Sequence, residues 1–593
     1  MRNTKWITLV LLAVSVTAAA KHKETVQPPA QDPSEAQTPM APPTTMDQVV
    51  DRAVFREKNL IKFLEQRTPI VETYLQDMTQ DPQMGPVPQA DHYFLGRMDL
   101  RESIDRDDYL ADKGKDRKDK DKDKDSDESM EKRLLGGFTK IFKFQYQPLG
   151  FSWMIYADRY NFDRQHYDFH YVRREFLGDV RCIVFDITPK KDAGRGRFLG
   201  RIWIEDQDFN IVRLNGTYVN PTRNTYFFHM DSWRLNLTPG YWVPAYIYSE
   251  EGDFTAGAKN KLAFKAQTRL WGYNLKAAPQ DEELTQIRVD SVKDETPQAQ
   301  DASPLAAERQ WQQQAEDNVI ERLERAGLLA PEGDVDKVLQ TVVNNIVITN
   351  NIELSRPIRT RVLTTSPLET FSVGNTIVLS RGIIDVLPDE GSLAMVLAHE
   401  LAHIVLGHNV GSQYAFNDRM LFSDEGTFAN LGFKHIPEEE AAADKKAIEM
   451  LKTSPYAQKL DSAGLFIQAL QARAPELAAL LQAHLGNNIA ENGKVIRMAD
   501  LANGAPALDW NKLDQIAALP LGGRVKLNPW DDKIEMVKAQ PVTITSARDK
   551  MPFEVTPFFP KLTRYAAAGE AASPTTATNA VPASRPTNSS PTN

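Results

Sequence analysis

The stretch GSLAMVLAHELAHIVLGH, residues 391–408, decides how the rest of the chain is read. Leu393, Val396, Leu397, Leu401, Ile404 and Val405 leave little of a helix circumference polar, so the spacing predicts a deeply buried helix. His399 and His403 stand four residues apart, a rotation of about 400°, and their imidazoles project from one face. Two imidazoles and a carboxylate are costly inside an apolar helix unless they are engaged. The His-Glu-x-x-His pattern therefore predicts one shared metal ion held by His399 and His403. Glu400 is offset by about 100° around the axis. It can take a proton from a water activated by that metal, as general base, without being a ligand.

A catalytic zinc site uses three protein ligands. Cys182 is the only cysteine, which excludes a thiolate cluster and a disulfide framework. His408 is one step out of register: on a continuing helix it would point about 140° away from His403, and Gly407 is a helix-ending signal. It reads as a surface or outer-sphere histidine. Downstream, residues 436–447 read IPEEEAAADKKA. Pro437 suits a helix start, Glu438 and Glu439 suit the acidic first turn, and Glu440 and Asp444 share a face at i and i+4. Glu440 is the expected third ligand, with His435 and His408 the residues to reconsider if it fails.

The helix motif followed by Glu-x-x-x-Asp resembles the HtpX/BepA-like and CAAX-prenyl-endopeptidase-type zinc metallopeptidases, metallopeptidase family forty-eight. The resemblance covers residues 335–470 and includes ETFSVGNTIVLSRG, residues 369–382, which looks like that family's strand-and-turn segment before the active-site helix. It implies Glu440 as third zinc ligand and Asp444 as the aspartate that orients a ligand histidine. The family usually has a second Glu where this chain has Ala442, a position that is not a ligand. The soluble, exported branch is the closer likeness. Other branches add a residue that stabilises the oxyanion, for which His435, His484, Arg524 and Arg548 are candidates. Phe371, Ser372 and Val373 are expected on an edge strand that pairs with substrate backbone.

Outward from this segment, 593 residues exceed one ordinary core, and a net charge of −10 without a basic, aromatic-interleaved patch argues against nucleic acid. Residues 1–20 read as a signal peptide: Arg2 and Lys5, an apolar run too short to span a bilayer, then Ala18, Ala19 and Ala20. Residues 21–46 read as a disordered linker, and helical periodicity runs from Asp47 to Gln80. A charged insert at about 111–133 alternates Asp and Lys. Six β-rich runs follow, at 182–187, 198–204, 211–218, 225–235, 241–248 and 261–271, spaced as in an antiparallel meander. Residues 200–213 look like a strand-turn-strand of periplasmic lipoprotein-carrier domains. Residues 277–307 form a second linker, Trp311, Val319, Ile320, Leu323 and Leu328 an apolar helix face, and residues 566–593 a disordered tail.

The expected fold is α+β: a β-rich domain with its N-terminal helix (47–276), then a mainly helical, gluzincin-like zinc protease domain with a small active-site sheet (308–565). The expected function is a zinc metalloendopeptidase with one Zn2+ per chain, acting on proteins or peptides in the periplasm or outside the cell. No transmembrane segment is expected in the mature chain, with association at the membrane periphery or with lipoproteins left open. The rival is a non-catalytic binding or chaperone-like module whose β domain captures lipoprotein or misfolded protein.

Overall fold

A computed structural model describes residues 42–81, 85–101, 110–112, 144–146, 151–194, 196–220, 225–251, 264–273, 304–408, 433–491, 494–520, 525–527, 533–536 and 554–565. The signal peptide, most of both linkers and of the charged insert, the tail, Arg524 and Arg548 lie outside these residues. Residues 49–593 form one compact unit, to which all that follows belongs apart from the first residues of α1 (Met46–Leu64).

Helical periodicity is expected through Gln80, but α1 ends at Leu64 and the following segment is strand β1 (Ile70–Asp81). Pro69 cannot continue a helix and biases Thr68 away from the α region. Ile70, Val71, Thr73 and Tyr74 then favour a pleated surface, and β1 finds partners on both sides.

With β2 (Gly85–Arg97), β3 (Tyr167–Leu177), β4 (Val180–Pro189), β5 (Arg197–Glu205), β6 (Ile211–Asn220), β7 (Thr225–Thr238), β8 (Tyr241–Glu251) and β9 (Phe264–Trp271) it forms a nine-stranded antiparallel sheet, in the order β2-β1-β9-β8-β7-β6-β5-β4-β3. Strands β4 to β9 correspond to the six runs of the meander. Strands β1 to β3 extend it on both flanks.

Alternation sends Ile183, Phe185, Ile202, Ile204 and Leu214 to one face, where they pack with Val50, Ala53, Leu60 and Leu64 of α1 and with Phe151, Trp153 and Met154. Cys182, Val184, Trp203, Val212, Trp233 and Trp242 point to the other face. Residues 554–565 run across that face. The Val555 N–H donates to Gln76 Oε1 (2.8 Å), the Asp179 N–H to the Leu562 carbonyl (2.8 Å) and the Tyr565 N–H to Asn236 Oδ1 (2.9 Å). Both apolar faces are thus covered by the chain's own segments.

The second half contains α2 (Pro304–Arg325), α3 (Asp334–Thr349), β10 (Arg359–Leu363), β11 (Thr370–Val373), β12 (Thr376–Ser380), α4 (Arg381–Val386), α5 (Glu390–Leu406), α6 (Pro437–Lys452) and α7 (Leu460–Arg473). Its small sheet has the order β10-β12-β11, with β11 terminal. On α2, Val319, Ile320 and Leu323 are buried but Trp311 is 54% exposed, against the expected apolar face. The helix surface that meets the core begins only at Ala315, one turn further on. The fold is α+β. The aromatic face of the large sheet shares a continuous core with Leu339, Ile377, Leu397, Leu401 and Phe466 of the helical half.

Polar contacts reinforce that junction. Glu72 of β1 is buried, accepts from the Ser366 N–H (2.5 Å) and pairs with Arg269 (2.8 Å). On β2, the Asp91 carboxylate accepts from the N–H groups of Ala479 (2.7 Å) and Leu480 (2.8 Å). Burial nevertheless pushes Asp91 up to about 6, while those two donors and Tyr74 pull it down.

The folded chain therefore holds this proton more tightly than the unfolded chain, whose Asp titrates near 3.9. The associated stability is fully present below about pH 4 and is lost as pH rises through about 6. A shift of roughly two units is worth about 3 kcal/mol. We expect the stability difference between wild type and Asp91→Asn, read from urea unfolding, to change by about that amount between pH 4 and 7. A difference independent of pH would refute it.

Candidate metal centre

Helix α5 is buried along most of its length, with Leu397, Ala398, Leu401 and Ala402 fully enclosed. Asp389 caps its N-terminus by accepting from the Ser392 N–H (2.7 Å). Its C-terminus is Gly407 in the left-handed region (φ 72°). The two histidines project from one face as their spacing requires, with Nε2 atoms 3.2 Å apart. Helix α6 starts on Pro437 and packs against α5, which brings Glu440 to the same point: Oε2 is 3.3 Å from His399 Nε2, and Oε1 is 3.4 Å from His403 Nε2. Each of His399, His403 and Glu440 offers a ligand atom, all within 4.8 Å of one another.

This arrangement suits a cation. Two imidazole Nε2 atoms face each other, and Glu440 Oε2 is buried with no hydrogen bond among the described residues. A nitrogen-and-carboxylate donor set of three is that of a catalytic zinc site. Burial opposes the charge on Glu440, but His399, His403 and Arg497 outweigh it and hold the carboxyl far below its usual range. For His399, burial opposes the charged form while Asp444 and Glu440 favour it, which leaves the imidazole pushed up to about 9. A proton there occupies electrostatically what a divalent cation would.

Asp444 lies one turn after Glu440 and accepts from His399 Nδ1 (2.8 Å). Its other oxygen takes the Met498 N–H (2.8 Å). Met498 adopts φ 55°, a left-handed conformation that a non-glycine residue enters only under constraint. That turn also points Arg497 inward. Its Nη1 donates to Thr370 Oγ1 (2.6 Å) and stands 3.3 Å from Glu400 Oε1, and its Nε is 3.4 Å from Glu440 Oε2. Thr370 Oγ1 in turn donates to Glu400 Oε1 (2.5 Å). Glu400 is thus excluded from the three-atom cluster but held beside it.

The remaining candidates separate. His435 stacks on His403 (3.9 Å between ring centres), and its Nδ1 is 2.9 Å from Glu439 Oε2, so Glu439 does more than complement the helix N-terminus. Burial and the neighbouring His403 hold His435 below its usual value. His484 turns away to pack on Tyr93 (4.8 Å). Phe371, Ser372 and Val373 are buried on β11.

Arg497, Thr370 and Asn487 were not expected at the site. Asn487 donates to Glu440 Oε1 and bridges the start of β11 at Thr370. Gly486 permits this approach, because a Cβ there would lie 2.4 Å from the Thr370 carbonyl oxygen. No spacing rule links these residues to the helix motif. The one available signal, a basic residue needed near developing negative charge, fitted several arginines equally.

Residues 334–479 match the family model described as Peptidase family M48. No curated protein matches the chain.

Proposed function

Because residues 334–479 match the family model described as Peptidase family M48, we propose that this chain is a zinc-dependent endopeptidase, with one zinc held by His399, His403 and Glu440. The observation that carries this is the placement of Glu400, buried and clamped by Thr370 and Arg497, beside the converging ligand atoms yet not among them. When bound, zinc would supply Lewis acidity toward water and the scissile carbonyl. Glu400 takes the proton of the attacking water and returns it to the leaving amine. Asp444 fixes the orientation of His399. Arg497 offers positive charge beside Glu400, where the tetrahedral oxyanion would gain from it.

Substrates are proteins or peptides. Among the described residues no helix is long and apolar enough to cross a membrane. With the signal-like residues 1–20, we assign the enzyme to the periplasm or the extracellular space, in protein processing or quality control. The division into a β-rich part (47–276) and a protease part (308–565) belongs to the same proposal.

Extended substrate would add to β11, the terminal strand of the small sheet among the described residues, along Phe371, Ser372 and Val373, beyond the Thr370–Asn487 bridge. A peptide-based inhibitor is expected to crystallise against that strand, and one bound away from it would sink the assignment. The test of the function itself is digestion of unfolded casein by the full mature chain. It should be lost with a chelator, recovered with zinc, and absent in Glu400→Gln. Casein left intact by zinc-loaded wild type would favour a non-catalytic binding module.

A further inference from the structure

We propose that His408 is a positioning residue that accepts a hydrogen bond from His403 Nδ1 and so aims His403 Nε2 at the metal. This rests on the metal-centre reading above and extends it to a residue outside the ligand set.

Helix geometry alone would turn residue 408 about 140° away from His403. Gly407 changes that. Its left-handed conformation ends α5, the His408 N–H closes onto the His403 carbonyl (2.9 Å), and the His408 side chain folds back over the last turn. Its Nδ1 then lies 3.0 Å from His403 Nδ1, with the rings edge to face at 5.1 Å.

Two ring nitrogens at that distance need one proton between them. His403 Nε2 faces His399 Nε2 at 3.2 Å and Glu440 Oε1 at 3.4 Å, so it is the nitrogen whose lone pair serves the metal. The proton therefore sits on His403 Nδ1, and His408 Nδ1 accepts it with its own hydrogen on Nε2. His435 packs flat on His403 but makes no hydrogen bond to it among the described residues, which leaves this contact to His408.

The two ligand histidines are thus held differently: His399 by a carboxylate carried on α6, His403 by an imidazole supplied from the end of its own helix. Loss of such an outer partner typically costs 10–100-fold in metal affinity.

The test compares full-length wild type, His408→Leu and His408→Asn by chelator competition for zinc, with urea unfolding of the metal-free proteins as a control for folding. Leu removes the acceptor, whereas Asn retains one in its side-chain oxygen. We expect His408→Leu to bind zinc about 10–100-fold more weakly and to shift the visible absorption bands of the cobalt-substituted protein. Asn should restore most of both. If His408→Leu binds zinc as wild type does, or if a folded His408→Asn is no better than Leu, the proposal is overturned. His408→Ala keeps the test decisive should Leu fail to fold: it deletes the acceptor with a smaller side chain at the helix end, and unchanged affinity there also overturns the proposal. Wild type that binds no zinc would overturn the parent reading instead, and this one with it.

Discussion

Glu400→Gln is expected to lower turnover of a fluorogenic peptide by about 10²–10⁴-fold while leaving the zinc-to-protein ratio unchanged. Gln has the same shape and keeps an oxygen to accept from Thr370 Oγ1, so the 2.5 Å contact that seats the side chain survives. What is lost is the basic oxygen. The ligand atoms of His399, His403 and Glu440 converge without Glu400, so metal content should not change. The cost falls on Arg497, which stands between Glu400 and Glu440 and would retain one anionic partner of two. Activity within tenfold of wild type would remove Glu400 from the role of base. Loss of zinc would make it a ligand instead.

Glu440→Ala should weaken zinc binding by roughly more than 100-fold, beyond the 10–100-fold cost of losing an outer partner, and abolish proteolysis with it. Two histidines would remain, one short of the three protein ligands used at catalytic sites. The helix should tolerate the change, since Glu440 is only partly buried on the first turn of α6 and Ala is a strong helix former. Glu438→Ala should leave zinc untouched, because Glu438 is exposed and outside the cluster. Glu439→Ala should affect it only through His435, which packs on His403. Full occupancy in Glu440→Ala, measured by metal analysis after dialysis, would return His435 and His408 to consideration as ligands.

What could be read in the sequence was what depends on helix period. The four-residue spacing of His399 and His403, and of Glu440 and Asp444, converts directly into a shared face, and the structure brings these four side chains together. The alternating runs of β4 to β9 were legible through the strand period of two. Residues that reach the site from a strand end or a turn were not. Thr370 and Arg497 meet across 127 positions, and Met498 shapes that turn by a backbone conformation its side chain gives no cause to expect. The misassigned segment after Leu64 failed differently. Its apolar residues fit either period over a short window, whereas Pro69 stops the helix and pairing with β2 and β9 makes the segment after it a strand.

The long-range strand pairing of the large sheet constrains how this chain can reach its native state. Strand β1 pairs with β9, joining Ile70 to Trp271, and the covering segment contacts β1 across 479 positions at Gln76 and Val555. Contacts of such sequence separation carry a large loop-closure entropy before any reward is collected, which slows folding. Until residues 554–565 arrive, Trp233, which Phe559 meets edge to face, and the neighbouring Trp203 lack part of their cover, and transiently exposed area of this kind drives aggregation. The sheet is therefore the last part of the molecule to become safe. A chain cut short before residue 554 would keep every proposed ligand of the metal centre and still be left with an unguarded face.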